Sequence, residues 1–387
     1  MKIPEIVGSE PYRLFFPLGG LMALIGSSYW LLLASGLITG YAPLYHGLIQ
    51  IELFCSAFGL GFLLTALPKF LRTRHATSVE LSSFAFVYLV LSAAILAGWL
   101  FIGQWCFAAM IALLIRFAVT RFRERKTDPP NSFVLVACGL LAGFSGALLL
   151  NYPLTAFPML GQKLLEQGMF LSLTLGVGSF LGPRLMGIVD TENALVNLAA
   201  KNRSLPPFHK SPAAVVVLIG IVIFGSFFIE TGWSREWGIF LRAAASIFCL
   251  GWFRVLQLPR SRSVVACFAA IALWCVALGI LAAALFPAYE VALLHLTYIG
   301  GFGLLILTIG AQVITSHGGV RGFWDQRRYS AIFVGVLTLV SILVRIGAAF
   351  YPVQYLLLLG LAAFIFNVAL ITWGVGVLRY LGSKAAP

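Results

Sequence analysis

The chain has 387 residues, of which 60% are hydrophobic and only 10% charged, and its formal net charge is +13. A water-soluble domain carries roughly 25% charged residues, so this balance excludes one and points to a membrane-embedded bundle. The basicity invites a nucleic-acid reading, which the placement of the charges excludes.

A helix needs about 20 apolar residues to cross the hydrocarbon core. Twelve such runs follow one another, at 14–38, 46–68, 82–102, 104–120, 132–152, 166–186, 212–230, 237–253, 263–286, 290–316, 330–350 and 354–378. The fourth and eighth are the weakest, each being short and carrying an arginine (Arg116, Arg242). The expected fold is all-α: a polytopic membrane helix bundle of about twelve transmembrane helices. It forms a single transmembrane domain over 1–387, with no soluble domain. The first run lacks a small-residue cleavage site and reads as a retained helix. Thr127-Asp128-Pro129-Pro130-Asn131 reads as a helix break and restart. The longest connection, about 187–211, is rich in Asn and Pro (Asn193, Asn197, Asn202, Pro206, Pro207) and divides the helices six to six.

Lysines and arginines gather in alternate loops. One series comprises Lys69, Arg72 and Arg74; Arg121, Arg123, Arg125 and Lys126; Lys201, Arg203 and Lys210; Arg254, Arg260 and Arg262; and Arg321, Arg327 and Arg328. The opposite loops hold only Lys163 and Arg235. This is the positive-inside pattern. It places both termini in the cytoplasm and makes the basicity a topology signal, with the bilayer as partner and no nucleic acid. The six cysteines all fall in apolar runs without a CxxC pair, so neither a disulfide framework nor a zinc site is expected. They read as ordinary buried small residues.

Only two histidines lie inside the apolar runs, His46 opening the second and His295 opening the tenth. An imidazole in lipid is costly and usually functional. His46 stands 23 residues before the inner cation Lys69, and His295 stands 26 before Arg321. At about 1.5 Å per residue, both lie roughly 35–39 Å above the inner anchors, level to within about one turn. Matched depth suits the two axial ligands of one haem, and Gly47, Gly300 and Gly301 would let backbones approach a flat macrocycle. The plainer reading is that each is a hydrated side chain at the outer interface. His75 and His209 read as solvated loop residues, and His317, before Gly318-Gly319, as a helix C-terminus.

The embedded charges supply further candidates. Arg345 and Arg242 sit in the outer halves of their spans and could hold haem propionates, because guanidinium pairs carboxylate bidentately. Each could equally pair with a glutamate in the bundle or snorkel outward. Glu52 could carry a proton or partner an arginine. Tyr298, one turn beyond His295, is placed to line the same pocket. A weak repeat runs at four-helix intervals: His46 precedes Gly61 by fifteen residues, His295 precedes Gly310 by fifteen, and Lys163 precedes Gly178 by fifteen. Helices 2, 6 and 10 would then be equivalents in three units of four.

PLYHGLIQIELFCSAFGLGFLLTALPKF in helix 2 and HLTYIGGFGLLILTIGAQVITSHGG in helix 10 resemble the NnrS proteins. The resemblance implies a twelve-helix bacterial inner-membrane protein with haem, of b type, and copper, tied to denitrification and nitric oxide stress. Members often carry Trp-His-x-His-Glu at the start of helix 2. Here Tyr45, His46, Gly47, Leu48 and Ile49 stand there, which counts against a copper site. The family is also similar, remotely, to subunit I of the haem–copper oxidases, where helices 2 and 10 hold the low-spin haem. That enzyme's copper centre needs three further histidines, absent from this side of the chain, so an oxidase or nitric oxide reductase of that design is not expected. The metal ligands are therefore expected to be His46 and His295. The main rival is a twelve-helix secondary transporter without haem, with GVGSFLGPRLMG in helix 6 as its broken helix. A purely structural membrane subunit is a third reading.

Overall fold

Backbone N–H and C=O groups find no water in hydrocarbon, so each apolar run must satisfy them internally as helix. The computed structural model of the chain describes residues 10–151, 158–189, 212–320 and 322–383, and all regular structure among them is helical. His209 and the Asn- and Pro-rich stretch lie outside the described residues. The helices are α1 (Tyr12–Ala34), α2 (Pro43–Leu71), α3 (Ser78–Leu96), α4 (Leu100–Arg123), α5 (Phe133–Leu150) and α6 (Pro158–Leu185). They continue as α7 (Pro212–Gly232), α8 (Arg235–Trp252), α9 (Val264–Leu285), α10 (Pro287–His317), α11 (Arg328–Phe350) and α12 (Pro352–Gly382). Eleven are long and apolar enough to span a membrane. The exception is α8, where Arg235, Glu236 and Arg242 dilute the apolar run.

Two boundaries depart clearly from the sequence expectation. The third helix, expected to run to 102, ends at Leu96, with Gly98 turning the chain at φ +77° before α4 starts at Leu100. Helix 6 was expected over 166–186, yet α6 starts at Pro158. Lys163 therefore lies inside a helix rather than in an outer loop. The physical reason is an ion pair: Lys163 Nζ meets Glu230 Oε1 of α7, which makes a buried ammonium tolerable. The cysteine expectation also needs amendment. Cys55, Cys249 and Cys275 are buried, but Cys267 is exposed on α9, on a surface that lipid can cover.

The contacts divide the chain into two compact units. The first, residues 1–14, 59–184 and 188–255, holds the C-terminal part of α2 with α3–α8. Within it α5 and α6 cross at backbone distance. A Cβ on Gly146 would lie 2.9 Å from Gly161 O, and one on Gly139 would lie 2.7 Å from Met169 O. Such small-residue crossings let dispersion and backbone contacts hold helices together where lipid removes the hydrophobic drive. Thr127 Oγ1 donates to Phe70 O at 2.6 Å, tying the expected break before α5 to the end of α2. Arg121, fully buried, donates to Glu80 and to the carbonyls of Arg74 and His75.

The second unit, residues 15–58, 185–187 and 256–387, holds α1, the N-terminal part of α2 and α9–α12. Asn367 of α12 joins α1 by bonding to Ser27 and Ser28. Trp373 Nε1 donates to Leu307 O of α10 at 2.9 Å. Phe16 and Phe58 stack with ring centres 4.6 Å apart.

Three helices share an interruption. In α2, α6 and α10 a short α-helical start (Pro43–Leu48, Pro158–Lys163, Glu290–His295) gives way to a π-helical segment (Ile49–Cys55, Leu164–Met169, Leu296–Gly303). An ordinary α-helix then resumes (Ser56–Leu71, Phe170–Leu185, Leu304–His317). No other π segment occurs among the described residues. π segments are rare and gather at functional sites. Their recurrence at every fourth helix gives the repeat a backbone counterpart that glycine spacing alone could not supply.

Candidate functional site

Both membrane histidines stand just ahead of a π segment, and both belong to the second unit. His46 Nδ1 lies 2.8 Å from Gly26 O of α1. His295 Nδ1 lies 2.6 Å from Val291 O, one turn earlier in its own helix. A carbonyl accepts only, so each Nδ1 carries the proton in the neutral ring. Each Nε2 keeps its lone pair. This is the arrangement by which a backbone carbonyl fixes the tautomer of a metal-ligating histidine.

Gly26 makes the first of these contacts possible. A Cβ there would fall 2.7 Å from both Ile49 Cγ2 and Gln50 Nε2, so only glycine lets the α1 backbone come this close to α2. Gln50 Nε2 also donates to Ala23 O. The His46 ring packs against Trp30, with ring centres 5.2 Å apart. Trp30 is itself held among Ala348, Leu359 and Ala363. His295 packs edge-on against Tyr298 at 5.7 Å, and Tyr298 in turn against Phe302. Tyr298 thus lies beside the histidine, as its spacing of one helical turn suggests.

His46 and Arg345 are both electrostatic neighbours of His295, and Arg345 is one of His46 as well. Arg345 also interacts with Tyr41 and Tyr355. Three nitrogen-bearing side chains from α2, α10 and α11 therefore converge in one region of the second unit. No cluster of three or more His, Cys, Asp or Glu able to hold a metal occurs among the described residues.

The remaining sequence candidates fall elsewhere. Arg242 pairs with Glu230 Oε2 at 2.6 Å and lies over the Phe227 ring at 4.1 Å. Lys163 shares the same Glu230, and all three belong to the first unit. Arg242 thus takes the in-bundle glutamate pairing open to it from sequence and has a carboxylate without any propionate. Glu52 is fully buried within the α2 π segment. Gly300 and Gly301 serve helix packing and offer no platform for a macrocycle, since a Cβ on them would meet Cys275 and Val276 of α9 at 2.9 and 2.5 Å. His75 is exposed, and His317 Nδ1 caps its own helix on Val313 O before Gly319 turns the chain at φ +82°. Gly26 and Trp30 escaped the sequence reading. A glycine and a tryptophan in an apolar run carry no mark of their neighbours.

These observations define a polytopic all-helical membrane protein with two ligand-ready imidazoles on interrupted helices. The NnrS protein family model matches residues 6–384, and the chain belongs to that family. No curated protein matches the chain.

Proposed function

We propose that the chain is a haem-binding protein of the bacterial inner membrane, acting in the response to nitric oxide or denitrification. His46 and His295 would hold the haem iron, near the periplasmic side. The observation that carries this reading is the pair of Nδ1–H···O=C bonds, which leave two Nε2 lone pairs free. Their donor chemistry fits haem iron, and the nearby Arg345 supplies charge suited to a carboxylate-bearing macrocycle. A bound haem would supply one-electron chemistry and, where one ligand leaves, a position for a diatomic gas. The chain's own contribution is to fix the ring tautomers and orientations through α1 and α10 backbone carbonyls. The test is absorbance of the purified protein. A Soret band with sharp reduced α and β bands is expected, lost or shifted in His46→Ala and His295→Ala and unchanged in His75→Ala. A featureless spectrum after reconstitution with haem would overturn the reading.

A second reading is a secondary transporter. Three interrupted helices and the buried Lys163–Glu230–Arg242 group favour it, since both are features that transporters use. It predicts the featureless spectrum.

A further inference from the structure

Three arginines are nine-tenths or more buried, and two of them have a carboxylate. Arg121 has Glu80, and Arg242 has Glu230. Arg345, at 9% exposure near the end of α11, pairs with no Asp or Glu among the described residues. The groups on which its charge acts are Tyr41, Tyr355, His46 and His295, none of them acidic in the ordinary pH range. A largely buried guanidinium without a counter-charge is costly, and buried charges in proteins are therefore paired.

The surroundings are built of hydrogen-bonding groups. Tyr41, in the connection before α2, and Tyr355, at the start of α12, hold their hydroxyls 3.2 Å apart. Tyr41 packs on Trp30 at 5.4 Å, the same Trp30 that packs on His46 at 5.2 Å. A continuous wall thus runs from the tyrosine pair through Trp30 to the imidazole. Two hydroxyls bonded to each other hold one proton to spare for an outside acceptor. A guanidinium and a spare O–H donor within electrostatic reach of two imidazoles lack only an acceptor with negative charge.

We propose that Arg345 and the Tyr41–Tyr355 hydroxyl pair form an anion seat beside the two histidines, filled by a carboxylate of the ligand those histidines hold. The inference rests on the haem reading for its ligand, a tetrapyrrole dicarboxylate. It adds which edge of the macrocycle faces Arg345: the acidic one. Charge-assisted bonds from Arg345 and one tyrosine hydroxyl would hold that edge, while His46 and His295 hold the metal.

The experiment compares ligands on the full-length purified apoprotein. Protohaem, its dimethyl ester and the iron-free dicarboxylate porphyrin are titrated in turn, by absorbance for the first two and by fluorescence for the third. Wild type should prefer the diacid over the diester by about tenfold, the scale of one charge-assisted bond. Arg345→Gln should bring that preference below about twofold while leaving diester affinity and the Soret position unchanged. Tyr41→Phe with Tyr355→Phe, a milder change, should lower it part of the way. Equal affinity of wild type for diacid and diester, with iron-dependent binding intact, would overturn the seat and leave the haem reading standing. Binding of the iron-free diacid that Arg345→Gln abolishes would support the seat, and a protohaem Soret band that His46→Ala and His295→Ala both leave unchanged would count against the axial ligands. Retention of none of the three probes would overturn both. Excess formate separates two sources of the anion. An unchanged diacid affinity assigns the seat to the ligand's own carboxylate, and a fall in diacid but not diester affinity assigns it to a free anion as well.

Discussion

The starts of α6 and α10 present the same backbone device with opposite electrostatics. Each has a six-residue helical start, a π segment and a resumed α-helix. In α6 the residue closing the start is Lys163, and its charge is cancelled within the unit by Glu230, which Arg242 also joins. In α10 that residue is His295, whose Nδ1 is bonded and whose neighbouring cation, Arg345, has no carboxylate among the described residues. One site is complete in itself. The other, on the proposed reading, is completed by a ligand that supplies an electron-pair acceptor and a negative charge. The device is shared, so function resides in the side chains it presents.

The largest effect that would break this comparison is Glu230→Gln. It leaves Lys163 and Arg242 buried without their counter-charge, and breaking such a group by one partner costs about 3–5 kcal/mol. Thermal unfolding in detergent should show a large drop in Tm. An unchanged Tm would mean that the cluster is hydrated and that the contrast with Arg345 is false. Next comes Gly26→Ala, which overpacks the α1–α2 contact and should cost about 1–3 kcal/mol. Gly146→Ala at the α5–α6 crossing should cost a similar amount. On the proposed reading, only the Gly26 change should also broaden or shift the haem bands, because only that one displaces the carbonyl holding His46. Equal spectra from both variants would separate Gly26 from the site.

A smaller loss, about 1 kcal/mol, is expected of Asn367→Leu, in line with interhelical hydrogen bonds in membranes. It should lower Tm without moving any band. The smallest effect concerns Tyr41, outside the spans, whose hydroxyl is pushed up to about 12 by burial and by its bond to Tyr355. A raised folded-state value means that the stability it contributes is intact below the ordinary tyrosine range near pH 10. That contribution fades as pH rises from there toward 12. Ultraviolet titration should show a late tyrosinate phase that Tyr41→Phe removes; the same curve for variant and wild type would contradict it.

The helices were legible because apolar length is a one-dimensional property, and twelve runs give twelve helices. The start of α6 was not, since Lys163 reads as a loop cation until Glu230, 67 residues on, is brought against it. The histidine pair was legible because a polar ring in an apolar run is conspicuous at any position. What holds those rings was not. Gly26 acts through the absence of a side chain, and Tyr41 meets Tyr355 across 314 residues of sequence. The π segments left no trace in residue type either. IQIELFC, LLEQGM and LTYIGGFG share no pattern, and only hydrogen bonds such as that from Ser56 N–H to Ile51 O, five residues back, reveal them.

Those wide turns carry a consequence for how the protein can change. An α-helix turns about 100° per residue, so accommodating one extra residue in a π turn re-aims everything ahead of it while the remainder keeps its register. Deleting a single residue between Leu296 and Gly303 would swing His295 by roughly a quarter-turn and leave Leu304–His317 seated against its neighbours. In each of these three helices, the direction in which the tip points is adjustable separately from the packing of the shaft.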